Sequence, residues 1–143
     1  MAATLRFAKV HDTAVLAHGD TTPSDSDWTA WVQAYSGYLR EGVRELLVVT
    51  SGGGPNAAQR KQLTHAINAF DREVAPKLRT AICSSSSLAR GIMTAIVWLT
   101  RAPLRGFDFN ARTEALDYLQ TPQPDRADVL AAAEREYQAL VKP

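Results

Sequence analysis

Residues 48–60 read VVTSGGGPNAAQR: two apolar residues, two hydroxyls, three glycines and a proline, then a run that starts a helix. Glycines let backbone amides adopt positive φ and turn toward a common centre. The first turn of a helix adds unpaired amides and partial positive charge, so the pattern is suited to holding a small anion. The same residues also make a plain tight turn, with Pro55 in the first helical turn, where its missing amide costs nothing. A second small-residue corner, the serine run 84–87, follows another apolar stretch and precedes another helical pattern. Arg60 and Arg90, each about one turn into the helix behind its corner, could offer a guanidinium to a carboxylate or phosphate. The candidate anion-binding set is therefore Ser51, Gly52, Gly53, Gly54, Asn56, Arg60, Ser86, Ser87 and Arg90. Helix caps and solvated arginines are the competing reading of these residues.

Other chemistries find less support. Gly52-x-Gly54-x-x-Ala57 loosely fits a dinucleotide fingerprint, but it follows the third strand, and Asp71 at the far end of the same helix cannot be the ribose-binding acid. No Gly-Lys-Ser/Thr follows the loop, and no Gly-x-Ser-x-Gly elbow occurs. His11, His18 and His65 have no spacing that commits them to a serine or aspartate partner. A hairpin could bring His11-Asp12 near His18-Gly19-Asp20 as a metal site, against the alternative that these aspartates form turns. Cys83, the lone cysteine, reads as a small buried hydrophobe. The residues imply no catalytic group, metal or cofactor.

The elements that must position the two corners are legible from periodicity. Leu5–Val10 and residues 14–17 read as a hairpin around His11-Asp12-Thr13. Ser24 or Ser26 caps a helix whose apolar face is Trp28, Trp31, Val32, Tyr35, Tyr38 and Leu39, ended by Gly42. Residues 46–49, unbroken and apolar, read as a central strand covered on both faces. From Asn56 a helix gathers Leu63, Ile67, Phe70 and Val74 and turns Gln59, Arg60, Lys61 and Gln62 outward, until Pro76 closes it. Residues 79–83 form a strand and 88–100 a helix apolar nearly all round, with Trp98 in the core. A last strand spans 104–109, Asn110 caps a helix through Leu119, and beyond the hinge 121–124 a final helix aligns Val129, Leu130, Ala133, Tyr137 and Leu140.

This alternation predicts an α/β fold: a mixed, mostly parallel five-stranded sheet with flanking helices and right-handed crossovers. At 143 residues the chain is one ordinary domain. It divides into residues 1–121 and a C-terminal amphipathic helix, 122–143. With 16 Lys+Arg against 15 Asp+Glu, interspersed, no field gathers nucleic acid or a membrane surface. The N-terminal stretch lacks the apolar core, about 7 to 15 residues long, of a signal peptide, so the expected location is cytoplasmic.

With Thr50-Ser51-Gly52-Gly53-Gly54-Pro55-Asn56 directly after the third strand, the succession over residues 5–119 resembles the STAS domain of sulfate transporters and anti-sigma-factor antagonists. In that family an Asp-Ser-Ser-Gly type motif occupies this loop, and its serine is phosphorylated by a partner kinase. Ser51 is the nearest match to that acceptor; the preceding aspartate is missing, and two further glycines and a proline are present. The resemblance implies a non-enzymatic regulatory or scaffold module that works through a protein partner. The final helix could dock on its own domain or on a second copy. The alternative is a small anion- or nucleotide-binding domain, or a weak hydrolase, built on the Gly52–Gly54 and Ser84–Ser87 loops.

Overall fold

Strand Glu45–Thr50 (β3) organises the molecule because its apolar residues face opposite ways in turn, Leu46 and Val48 into one core, Leu47 and Val49 into another. Around it the sheet runs in the order β1-β2-β3-β4-β5, with β1 Leu5–Val10, β2 Thr13–His18, β4 Arg79–Cys83 and β5 Leu104–Phe107. β1 is antiparallel to β2, and every other neighbouring pair is parallel. The computed structural model describes residues 3–84 and 102–141. The helix expected over 88–100, with Trp98, lies outside them.

Helices Asp25–Arg40 (α1) and Ala57–Asn68 (α2) cover one face of the sheet. Trp28, Trp31, Val32, Tyr35 and Leu39 of α1 and Leu63 and Ile67 of α2 pack over Leu16, Leu46 and Val48. Ser24 caps α1, its hydroxyl accepting the Asp27 amide. Gly42, at φ 96°, ends it, with the Val43 amide reaching back to the Tyr38 carbonyl, a left-handed stop that glycine adopts without strain.

The opposite face is covered by Arg112–Leu119 (α3) and Gln123–Val141 (α4). Ala115, Leu116 and Leu119 meet Ala81 and Cys83, while Val129 and Ala133 meet Val15 and Leu47. The final helix thus docks on the chain's own sheet. Arg6 Nε donates to the nearly buried Glu136 carboxylate at 2.7 Å, and His11 at the hairpin tip bonds Asp128 at 2.8 Å. That contact, with the Asp125 charge behind it, holds the exposed His11 ring above its ordinary pKa.

Four expected boundaries move. The second helix stops at Asn68 rather than running to Pro76, and a turn and a 3-10 helix, Ala75–Lys77, with Pro76 in its first turn, follow. The last strand ends at Phe107, which frees Phe109 to meet Tyr137 edge-on at 5.1 Å. Ala111, not Asn110, precedes α3, without a side-chain cap. Gln123 and Pro124, expected in a hinge, already belong to α4, whose first turn needs no amide from Pro124.

Ala133 is fully buried between α4 and the sheet. Ala133→Leu is expected to overpack this contact and destabilise the protein by about 1–3 kcal/mol in denaturant unfolding. A variant as stable as the parent would show that α4 is loosely held.

Candidate functional site

The β3–α2 corner is built by Thr50, the last residue of β3. Its hydroxyl donates to the Gly53 carbonyl at 2.6 Å and accepts the Gly52 amide at 3.1 Å, folding the loop back on its strand. The Gly53 amide donates to the Gly19 carbonyl at 2.9 Å, and the Ser51 amide reaches the His18 carbonyl at 3.4 Å, so this loop is stitched to the one leaving β2. Two glycines are needed for different reasons. Gly52 has φ 129°, which side chains rarely adopt, whereas a Cβ on Gly53 would meet the Thr21 carbonyl oxygen at 2.3 Å.

Asn56 and Gln59 cap the start of α2 reciprocally: the Asn56 side chain accepts the Gln59 amide at 2.9 Å, and the Gln59 side chain accepts the Asn56 amide at 3.0 Å. Gln59, expected to face outward, is only 2 % exposed. Its side-chain nitrogen donates to the Pro23 carbonyl and the Asp25 carboxylate, and its backbone carbonyl accepts the Trp28 indole N–H at 2.9 Å. A side-chain amide can be buried when its donors and acceptor are met, and no periodicity of apolar residues announces that. Pro55 lies outside α2, before the Asn56 cap, and its carbonyl accepts from Arg60 Nη1 at 3.0 Å.

Ser51, Gly52 and Gly54 are half-buried on the rim, Gly53 is buried, Asn56 is exposed as the cap, and Arg60 lies half-buried against the loop. The amides of Gly52, Gly53 and Gln59 are spent on partners within the chain. Because β3 and β4 run parallel with Val49 opposite Cys83, the loop after β3 and Ser84 lie on one edge of the sheet. Ser84 is buried, and its amide donates to the Phe107 carbonyl at 3.0 Å. Ser86, Ser87 and Arg90 lie outside the described residues.

Beneath the rim, between the sheet and α1 and α2, is a cavity of about 70 Å³. Gly53, Gly54 and Pro55 line its end nearest the rim, and Leu16, Leu46 and Val48 line it from the sheet. Trp28, Trp31 and Tyr35 line it from α1, Leu63 and Ile67 from α2, and Thr80 and Ile82 from β4. His18 and Thr50, register partners at the ends of β2 and β3, are its polar residues nearest the rim. His18 is 3 % exposed and stacks on Trp28 at 6.1 Å, and burial pushes its pKa down to about 4.

The metal reading of the two histidine pairs is corrected by topology. His11 sits at the hairpin tip and His18 at the other end of β2, so the length of the strand separates them. Among the described residues no group of three or more His, Cys, Asp or Glu could hold a metal. His65 is exposed on α2, and the fully buried Cys83 thiol is pushed up to about 11 by desolvation, far from a thiolate nucleophile. Sequence periodicity pointed to neither His18 nor Trp31 as site residues; the signal available was a histidine directly after the apolar run 14–17.

Two outcomes test the corner. Thr50→Val and Gly53→Ala are each expected to lower stability by about 1–3 kcal/mol, the first by stranding polar partners and the second by pushing on backbone. Gly19→Ala, whose Cβ would meet nothing within 4 Å, should stay within about 0.5 kcal/mol of the parent. Equal losses at Gly19 and Gly53 would refute the packing described. The second outcome concerns pH. With the folded pKa of His18 below its ordinary value of 6.5, the unfolded chain takes up the proton first. Stability is therefore complete above about pH 6.5 and falls by roughly 3 kcal/mol as pH drops toward 4. His11 acts in the opposite sense, but its exposed pair is screened. Denaturant melts of the protein and of His18→Gln between pH 4 and 8 should show the acid slope flattened in the variant.

No family model matches this chain, and no curated protein matches it significantly. Among solved structures it is similar to an uncharacterized protein of the DUF3478 family with a SpoIIAA-like fold, from Shewanella loihica PV-4. The match has a TM-score of 0.55 at 17 % identity and covers 82 % of this chain and 93 % of that one. The fold expected from the sequence is thereby shown: this chain has a divergent SpoIIAA-like, that is STAS-like, α/β architecture.

Proposed function

We propose that this protein is a non-enzymatic regulatory or scaffold module of the cytoplasm that acts by presenting its β3–α2 rim to a protein partner. The observation that carries the reading is the locked corner. Ser51 and Gly52 stand half-exposed, held from below by Thr50 and flanked by the exposed residues 20–22. A rim whose backbone is fixed before binding loses little conformational entropy when a partner docks, which favours recognition of a shape. Ser51 is the nearest match in this chain to the STAS phosphoacceptor, and a phosphate there would add about two negative charges to that surface. Residues 1–121 form the STAS-like unit in this reading, with 122–143 as its appended helix. No helix among the described residues is long and apolar enough to cross a membrane.

The test is crosslinking and affinity capture from source cells with the full chain as bait, beside Ser51→Arg and Asp20→Arg. Both positions lie on the rim and outside the two cores. The parent should capture a partner in near-stoichiometric amount, and the charge-altered rims should lose it at least tenfold while keeping the same melting temperature. Intact mass of the native protein and of Ser51→Ala would report any phosphate on that serine. Identical capture by parent and both variants would overturn the rim as the contact surface.

A further inference from the structure

The rim reading leaves unexplained two buried nitrogens in the cavity below it. His18 Nδ1 and Trp31 Nε1 have no hydrogen-bond partner among the described residues, and both side chains line the cavity. Trp31 is fully buried, clasped between Phe7 at 5.5 Å and Tyr35 at 5.0 Å, and cannot swing its indole N–H to solvent. The neighbouring Trp28 indole, by contrast, is satisfied by the Gln59 carbonyl. A buried donor without an acceptor is costly, so such a group ordinarily has a partner, supplied from within the protein or from outside.

One water bridging the two nitrogens would fill only part of the space, whose other described walls are mostly leucine, isoleucine, valine and aromatic rings. An ion is no better. No Asp, Glu, Lys or Arg is among the described lining residues, and an ionised ligand would surrender its hydration to an apolar wall. The volume, about 70 Å³, is roughly five times what one water requires. We propose that the cavity under the Gly53–Pro55 loop is a binding site for a small, neutral, largely apolar molecule whose single oxygen accepts the Trp31 indole N–H and sits within reach of the His18 ring. His18 remains neutral at physiological pH and can serve as donor or acceptor according to its tautomer. The inference goes beyond the rim reading and does not depend on it.

Phenol and toluene have the same size and shape and differ by the oxygen, which makes them the probes, with benzoate as the charged control. In ¹H–¹⁵N spectra of the full chain, millimolar phenol is expected to shift the Trp31 indole resonance, assigned with Trp31→Phe, and to raise the melting temperature by a few degrees. Toluene should bind at least fivefold more weakly and benzoate not at all. Trp31→Phe keeps the ring and removes the donor, so phenol should lose its advantage over toluene. Should that variant fail to fold, Ile82→Phe, which fills the cavity from β4, should abolish the phenol response in a folded protein. Phenol that leaves the Trp31 resonance and the melting temperature unmoved would overturn the proposal, as would equal binding of phenol and toluene to the parent, or an undiminished phenol response in Ile82→Phe.

Discussion

A strand in the middle of a three-layer sandwich must bury both faces at once, and β3 does so with four consecutive apolar residues that divide between two separate cores. Each such side chain contributes about 1.5–3 kcal/mol when fully buried, and neither core closes without the strand. Its parallel neighbours follow from the same constraint. β2 and β4 must connect to β3 through helices, and those helices are what cover the α1–α2 face. The second face is covered by α3 and α4, so the final helix is part of the layer that shields Leu47 and Val49.

The candidate site is a consequence of where that strand ends. Thr50 is the last residue able to pair in the sheet and the first whose side chain is free to organise a loop, and it uses its hydroxyl in both directions, as donor to Gly53 and acceptor from Gly52. The loop thus drawn down lines one end of the apolar cavity, and Gln59 ties the starts of α1 and α2 together beside it. The rim and the cavity therefore share the Gly53–Pro55 segment.

Similarity to the Shewanella loihica protein at 17 % identity has a plain physical basis. What the architecture asks of each position is a side-chain class, apolar toward a layer, polar toward water, glycine where the backbone must pass close, and many sequences meet that demand. The fold is therefore shared further than any site built on it, and the chemistry of this chain rests on its own residues.

Among the described residues, periodicity by itself determined the strands, the α-helices and their order. The apolar run at 46–49 announced a doubly covered strand, and the spacing of Trp28, Trp31, Tyr35 and Leu39 announced a helix with one buried face, because such patterns are imposed locally by the geometry of strand and helix. The adjacency of β3 and β4, and with it the common edge for the two small-residue corners, also followed from the alternation of strands and helices. Tertiary structure alone decided the fate of polar groups. Gln59, polar in sequence and placed on the outer face by helical spacing, is buried because partners from Pro23 and Asp25 arrive from elsewhere in the chain. His18 and His11, seven positions apart and conceivable as a metal pair, are parted by the straight length of β2. The amides of the glycine loop, legible as an anion cradle, are largely taken by Thr50 and by Gly19 on a different loop. Hydrogen-bond satisfaction is a property of the whole packed molecule, set by contacts distant in sequence, and for that reason it could be read only once the chain was folded.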